Sequence, residues 1–316
     1  MKKSKPHLFE TVFHRLLPFD HMTLVYCWII VILTVGFARP IGDFVSVLLF
    51  HLGVIALVIL LVQYAHSRTS RPIVFFRLLY PVILMTLFYT TSGKLVHIFI
   101  PEFLDYQVVA LEKQIFGASP TIWLDGNLNV YVTEILSASY FSYYFMIPGL
   151  SLLLFFKRRD SETKRFVTAS CVTFFISYLI FIAYPIEGPR HYLAADYQNV
   201  ITGPIFRPLV DMVINNAAFH GGAMPSSHIA EALVVMFFAI RNYGRKAWFL
   251  IPIVTGLALG TVWGRFHYIT DVIVGIAIGC LATWLTLIFY AIEKESARER
   301  RRADTTIKDI YASNDI

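Results

Sequence analysis

The chain has 316 residues, of which 57% are hydrophobic and only 15% charged, with a mean hydropathy of +0.62 and a formal net charge of +6. Water-soluble domains carry about 25% charged residues, so this composition argues against a soluble enzyme, a disordered chain or a coiled coil. A surplus of positive charge points to nucleic acid in a soluble protein, but in a membrane protein it reports orientation, so its placement along the chain decides.

A helix crosses the hydrocarbon core, about 30 Å thick, with about 20 apolar residues at a rise of about 1.5 Å each. Lys2, Lys3 and Lys5 precede an apolar run that begins at Leu24, and no small-residue cleavage pattern follows Phe37-Ala38-Arg39-Pro40, so the first run is expected to stay as a span. Eight segments qualify or nearly do: 22–38, 44–65, 73–92, 130–156, 166–184, 226–240, 247–263 and 268–292. The sixth is the weakest, since its apolar run begins only after Glu231, and a short span with a polar start is expected to line a recess. The predicted fold is therefore an all-α, polytopic membrane bundle of about eight helices.

The loops sort by charge. With both termini on one side, 21 of the 27 Lys and Arg fall on that side, leaving Arg39, Lys94, Lys113, Arg190, Arg207 and Arg265 on the other. With the acidic residues included, the sides carry +11 and −5. The positive-inside rule makes the basic side cytoplasmic and removes the case for a nucleic-acid partner. Two non-cytoplasmic stretches are long. Residues 93–129, with Glu102, Asp105, Glu112 and Lys113 among apolar positions, read as amphipathic helix at the interface, and residues 185–225, rich in proline, read as a functional loop. The chain divides into a cytoplasmic segment 1–21, N-terminal spans with the interfacial stretch 22–129, a core 130–292 and a basic, frayed tail 293–316. Cys27, Cys171 and Cys280 lie in apolar runs without metal or redox spacing and read as small hydrophobes.

Polar residues crowd where three apolar runs end: Gly188-Pro189-Arg190-His191-Tyr192, Pro225-Ser226-Ser227-His228, and Gly264-Arg265-Phe266-His267-Tyr268 running on to Asp271. Span parity puts all three at the non-cytoplasmic face. His267 and Asp271, four apart, share a helix face, so the carboxylate can hold one ring nitrogen protonated and leave the other as a nucleophile or base. Pro225-Ser226-Ser227 is a capped helix entry, whose free N–H groups suit an anion, and His228 in the first turn can protonate a leaving oxygen. The planar forks of Arg190 and Arg265 match phosphate oxygens. Each cluster alone also reads as ordinary helix capping or headgroup anchoring. Together they describe phosphoryl transfer by a histidine, and with only Asp271 and Glu187 as carboxylates no catalytic metal or other cofactor is expected.

The ordered pair Pro225-Ser226-Ser227-His228 and His267-Tyr268-x-x-Asp271 resembles the type 2 phosphatidic acid phosphatase superfamily over about 166–292. Gly188-Pro189-Arg190 and the Arg-x-His-Tyr-x-x-Asp form are most similar to its inositol phosphorylceramide synthase-like branch. The resemblance implies that 130–292 holds a phosphatase-like catalytic core. It implies His267 as the nucleophile forming a phosphohistidine, Asp271 as its orienter, His228 as the acid, and Ser226, Ser227, Arg190 and Arg265 as phosphate ligands. The usual first block is missing, with Ala183 in place of its Lys, and Thr261 stands where the family's Arg precedes the nucleophile by six. The expected substrate is a phospholipid or other lipid phosphate, with either water or a lipid or polyol hydroxyl as acceptor, in a bacterial inner membrane or with a lumenal site in a secretory membrane. A transporter is disfavoured because the inner halves of the last three spans hold few polar residues.

Overall fold

A computed structural model describes residues 15–37 and 42–313, with side chains through 296. Lys2, Lys3, Lys5 and Arg39, and the side chains of the basic tail beyond Ser296, lie outside the described residues. Twelve α-helices are described: α1 Pro18–Gly36, α2 Phe44–Ala65, α3 Arg71–Ser92, α4 Asp105–Phe116, α5 Pro120–Asp125, α6 Val130–Phe156, α7 Asp160–Ala183, α8 Pro189–Tyr192, α9 Phe206–Ala217, α10 Ser227–Tyr243, α11 Leu250–Trp263 and α12 Ile269–Ser313. No strand occurs among the described residues, and a single isolated bridge joins Ile186 to Gly222. Six helices are long and apolar enough to cross a membrane: α1, α2, α3 with its extension to Leu95, α6, α7, and α12 to Ser296. α11 is apolar but has only 14 residues, and α10 has 17 and carries Glu231. The chain is a multi-pass helical bundle of the predicted class.

Hydropathy makes these helices, and local polar chemistry sets their ends. The Asn129 side chain accepts from the N–H groups of Tyr131 and Val132 and so caps α6. Asp20, buried in the first turn of α1, accepts from Leu17 N, from Arg77 Nη1 at 2.8 Å and from the Tyr80 hydroxyl at 2.7 Å. One buried carboxylate thus ties α1 to α3, and removing it would leave Arg77 buried without its counter-charge, at a cost of about 3–5 kcal/mol.

α7 is the centre of the bundle, packed against α1, α3, α6, α10 and α12. Its buried hydroxyls bond inward, Thr173 to the Ala169 carbonyl and Ser177 to that of Thr173, as an apolar surround requires. Ser170 donates to buried Glu231 of α10 at 2.5 Å. α10 and α12 approach closely because α12 presents glycine: a Cβ at Gly275 would stand 2.5 Å from the Ser226 carbonyl oxygen.

Three expectations change. The 185–225 stretch is not all loop, because Phe206, Val210, Val213 and Ile214 recur at helical spacing and build α9, which packs on α6. The 93–129 stretch holds α4 and α5 as expected, but Asp105 and Glu112 are fully buried rather than facing the interface. Instead of fraying at 293, α12 continues to Ser313, through a run of Ala, Glu, Lys and Arg that all favour helix.

Candidate active site

The turn before α12 is built around one carbonyl. Thr261 O accepts from Phe266 N at 2.8 Å and from His267 N at 3.1 Å, and Arg265 takes φ 62°, left-handed backbone that a non-glycine residue adopts only under constraint. This reversal sends Phe266 and His267 into the bundle and Arg265 away from it. At the entry to α10, Ser226 N donates to the Asp271 carbonyl at 3.0 Å, which fixes the start of one helix against the start of the other.

The two histidines meet there. His267 Nδ1 lies 2.8 Å from the Ala223 carbonyl, and because a carbonyl only accepts, Nδ1 carries the proton and Nε2 keeps its lone pair. Nε2 faces His228 Nδ1 at 3.5 Å, and His228 Nε2 lies 3.1 Å from the Tyr140 hydroxyl. Asp271 Oδ2 is 3.6 Å from His267 Nδ1 and accepts from Tyr268 N at 2.9 Å. It backs the ring electrostatically, while the proton's acceptor is Ala223, a backbone group that sequence reasoning had no means of naming.

The expected phosphate ligands divide. Arg190 enters the site; its Nη2 donates to Asn215 Oδ1 at 2.7 Å, and its Nη1 is buried with no partner among the described residues. Arg265 does not: its guanidinium is paired with Asp125, donates to the Asn199 carbonyl at 2.8 Å and lies over the Tyr197 ring. Arg207, which is 8% exposed, shares Asp211 with Arg190 and has a buried Nη1 with no partner among the described residues. Both guanidinium groups lie within 6 Å of the Phe266 ring, at 5.9 and 5.3 Å. Ser227 lines the cavity, and Ser226 lies behind it with a buried, unpartnered Oγ.

Four carboxylates at this end of the bundle hold backbone. Asp105 accepts from Glu187 N, Gly188 N and the Tyr268 hydroxyl at 2.7–2.9 Å; burial raises its pKa above the usual carboxylate value despite these donors. Glu112 accepts from Thr270 N and from the Ser119 hydroxyl. Glu134 takes the N–H groups of Ile205, Phe206 and Arg207. At Asp125 burial again opposes the charge, but the N–H of Gln198, the nearby Arg265 and the Asn199 contacts outweigh it and hold its pKa below the usual value. None of these four is marked by a motif.

These elements enclose a cavity of about 640 Å³. His228, His267, Ser227, Arg190 and Phe266 line one end; the other is apolar and aromatic, with Tyr143, Tyr144 and Ile147 of α6 facing Val82, Met85 and Tyr89 of α3. Along α3 the apolar arm runs seven residues from Tyr89 to Val82, about 10 Å of depth. Ile83 and Leu87 line it and are also exposed at 64% and 44%, so the arm opens sideways between helices.

The sequence profile described as "PAP2 superfamily" matches residues 107–285, from within α4 to within α12. A PA-phosphatase related-family protein of Dictyostelium discoideum is 26% identical over 160 residues, covering 44% of this chain and 29% of the relative. The chain thus matches less than a third of that protein's length. No solved structure matches.

Proposed function

The chain belongs to the PAP2 superfamily, and on that premise we propose that it is a lipid phosphate phosphatase or phosphotransferase working through a phosphohistidine on His267. The observation that carries this reading is the cavity itself, which has a histidine pair at a polar head and an apolar arm that opens sideways. A lipid enters laterally, its chain in the arm and its phosphate against Arg190, Arg207 and the first turn of α10.

In the first half-reaction, a phosphoryl group taken between the rings replaces the His228–His267 contact. His267 Nε2 attacks phosphorus, the P–O bond to the lipid alcohol breaks, and the leaving oxygen takes a proton from His228. In the second, a hydroxyl gives its proton to His228 and its oxygen to phosphorus, and the P–N bond breaks to restore His267. Ala223 and Asp271 keep the ring in the tautomer that attacks. Water as the second hydroxyl gives hydrolysis. A lipid or polyol hydroxyl gives headgroup transfer of the inositol phosphorylceramide synthase type, a second reading favoured by the apolar, aromatic lining. The concentration of basic residues away from the site supports a periplasmic or lumenal position.

The test is to incubate purified protein with a 32P-labelled lipid phosphate, quench in alkali and map the label. Acid-labile, alkali-stable label on His267, absent in His267→Ala, supports the mechanism, and His228→Ala should lose turnover by about 10²-fold or more. Turnover retained in His267→Gln would refute it. Phosphate release unchanged by added acceptors would exclude transfer.

A further inference from the structure

At the wall of the cavity, which Glu187 and His191 line, and outside the residues assigned to chemistry, Glu187, His191 and His220 converge. One ligand atom from each lies within 4.8 Å of the others. His220 Nδ1 is 2.7 Å from Glu187 Oε1, and the His191 and His220 rings lie 4.3 Å apart, centroid to centroid. We propose that these three residues form a binding site for a zinc-class divalent ion, with a fourth position open at the rim of the cavity.

The donor set is the one such an ion selects. Two imidazoles and one carboxylate suit Zn²⁺ and its transition-metal neighbours, whereas Mg²⁺ and Ca²⁺ take oxygen ligands. Tetrahedral geometry with ligand bonds of about 2.0–2.2 Å sets the donor atoms about 3.3–3.5 Å apart. The ion therefore asks the donor atoms to close from separations of at most 4.8 Å and the 2.7 Å His220–Glu187 contact to open by about 0.6 Å, at two exposed histidines.

The backbone carrying the ligands is already fixed. The Ile186–Gly222 bridge joins the segment before α8 to the segment before α10, with Ala223 N donating to the Ile186 carbonyl at 3.0 Å. Glu187 N is held by Asp105 at 2.7 Å. Arg190, the cation nearest in sequence, donates to Asn215 and lies 4.0 Å from the Asp211 carboxylate. Because Ala223 also holds His267 Nδ1, an ion bridging His220 to Glu187 and His191 clamps the hairpin that orients that ring. The proposal stands on these three side chains and does not depend on the phosphohistidine mechanism.

The experiment uses the full chain purified in detergent without a histidine tag. Zn²⁺ binding is measured by competition with a chromophoric chelator, and zinc absorption spectroscopy reads the ligands. One Zn²⁺ per chain is expected, with nitrogen or oxygen donors at about 2.0–2.2 Å and two imidazoles. His191→Ala, His220→Ala and Glu187→Gln should each weaken binding by about 10-fold or more, the loss usual even for outer-shell partners. His220 is exposed, so His220→Asn serves as a second variant that keeps the fold. Absence of stoichiometric uptake, equal affinity in the variants, or equal competition by Mg²⁺ would overturn the site.

Discussion

The spacing of α10 and α12 sets the distance between the two histidines, and Gly275→Ala tests this directly. The new Cβ would stand 2.5 Å from the Ser226 carbonyl oxygen and 3.3 Å from Ser226 C and Cβ, where ordinary contact begins at 3.4 Å. The carbonyl must therefore retreat by about 0.9 Å. It belongs to the residue just before α10, so the retreat breaks the 3.0 Å hydrogen bond from Ser226 N to Asp271 O and carries His228 away from His267. A misplacement of about 1 Å at reacting groups costs about 10²-fold in rate, or about 2.7 kcal/mol of barrier. Overpacking should also cost about 1–3 kcal/mol of stability. The assay is kcat for phosphate release from a short-chain lipid phosphate in mixed micelles, with thermal unfolding followed in parallel. Gly53→Ala, whose added Cβ meets nothing within 4 Å, is the control and should leave kcat unchanged. A folded Gly275→Ala protein with kcat within about twofold of this control would show that the helix seam does not set the site.

The arginines should separate from one another. Arg190→Gln and Arg207→Gln should each lower kcat/KM by about 10- to 150-fold, the value of a hydrogen bond to a charged group, while Arg265→Gln acts through folding and leaves kcat/KM of the folded protein near wild type. Equal catalytic loss at Arg265 would restore it to the site. Asp105 and Asp125 should show opposite pH dependences in thermal unfolding. Asp105 has a raised folded pKa, so its contribution is full below the unfolded value of 3.8 and is lost as pH rises through the folded pKa; Asp105→Asn should lack that decline. Asp125 has a lowered folded pKa, so its contribution is present above 3.8 and is lost as pH falls through the folded pKa; Asp125→Asn should remove this acid-side loss and be less stable at neutral pH. Parallel curves for either variant and wild type would refute the assigned direction.

What could be read from the sequence was what single residues carry. Hydropathy marked the long apolar helices, and polar residues at the ends of apolar runs pointed to Arg190, Ser227, His228 and His267, which line one cavity, because a charge or imidazole in such a place has few explanations. What escaped depends on partners. Arg265 looked like a phosphate ligand until Asp125, 140 positions away, proved to hold it. In the sequence Arg207 is only one of six basic residues in the non-cytoplasmic loops, because its burial depends on α9 packing against α6. The Ala223 carbonyl has no letter of its own in a sequence. Asp105 and Glu112 alternate with apolar residues as an interfacial helix would, and only the loops folded over them show that they are buried.

The four carboxylates that hold backbone N–H groups also bear on how the proposed lipid phosphate would reach the cavity. By formal count this end of the protein is acidic, which would repel a phosphate. Yet Asp105, Glu112, Asp125 and Glu134 each terminate on peptide dipoles, hydroxyls or a paired guanidinium, so their fields fall off over a short distance, while Arg190 and Arg207 share the single carboxylate of Asp211 and each keeps a buried Nη1 with no hydrogen-bond partner among the described residues. On the proposed reading, an approaching phosphate headgroup meets a local potential of the opposite sign to the net charge around it, and raising the salt concentration should slow its capture rather than speed it.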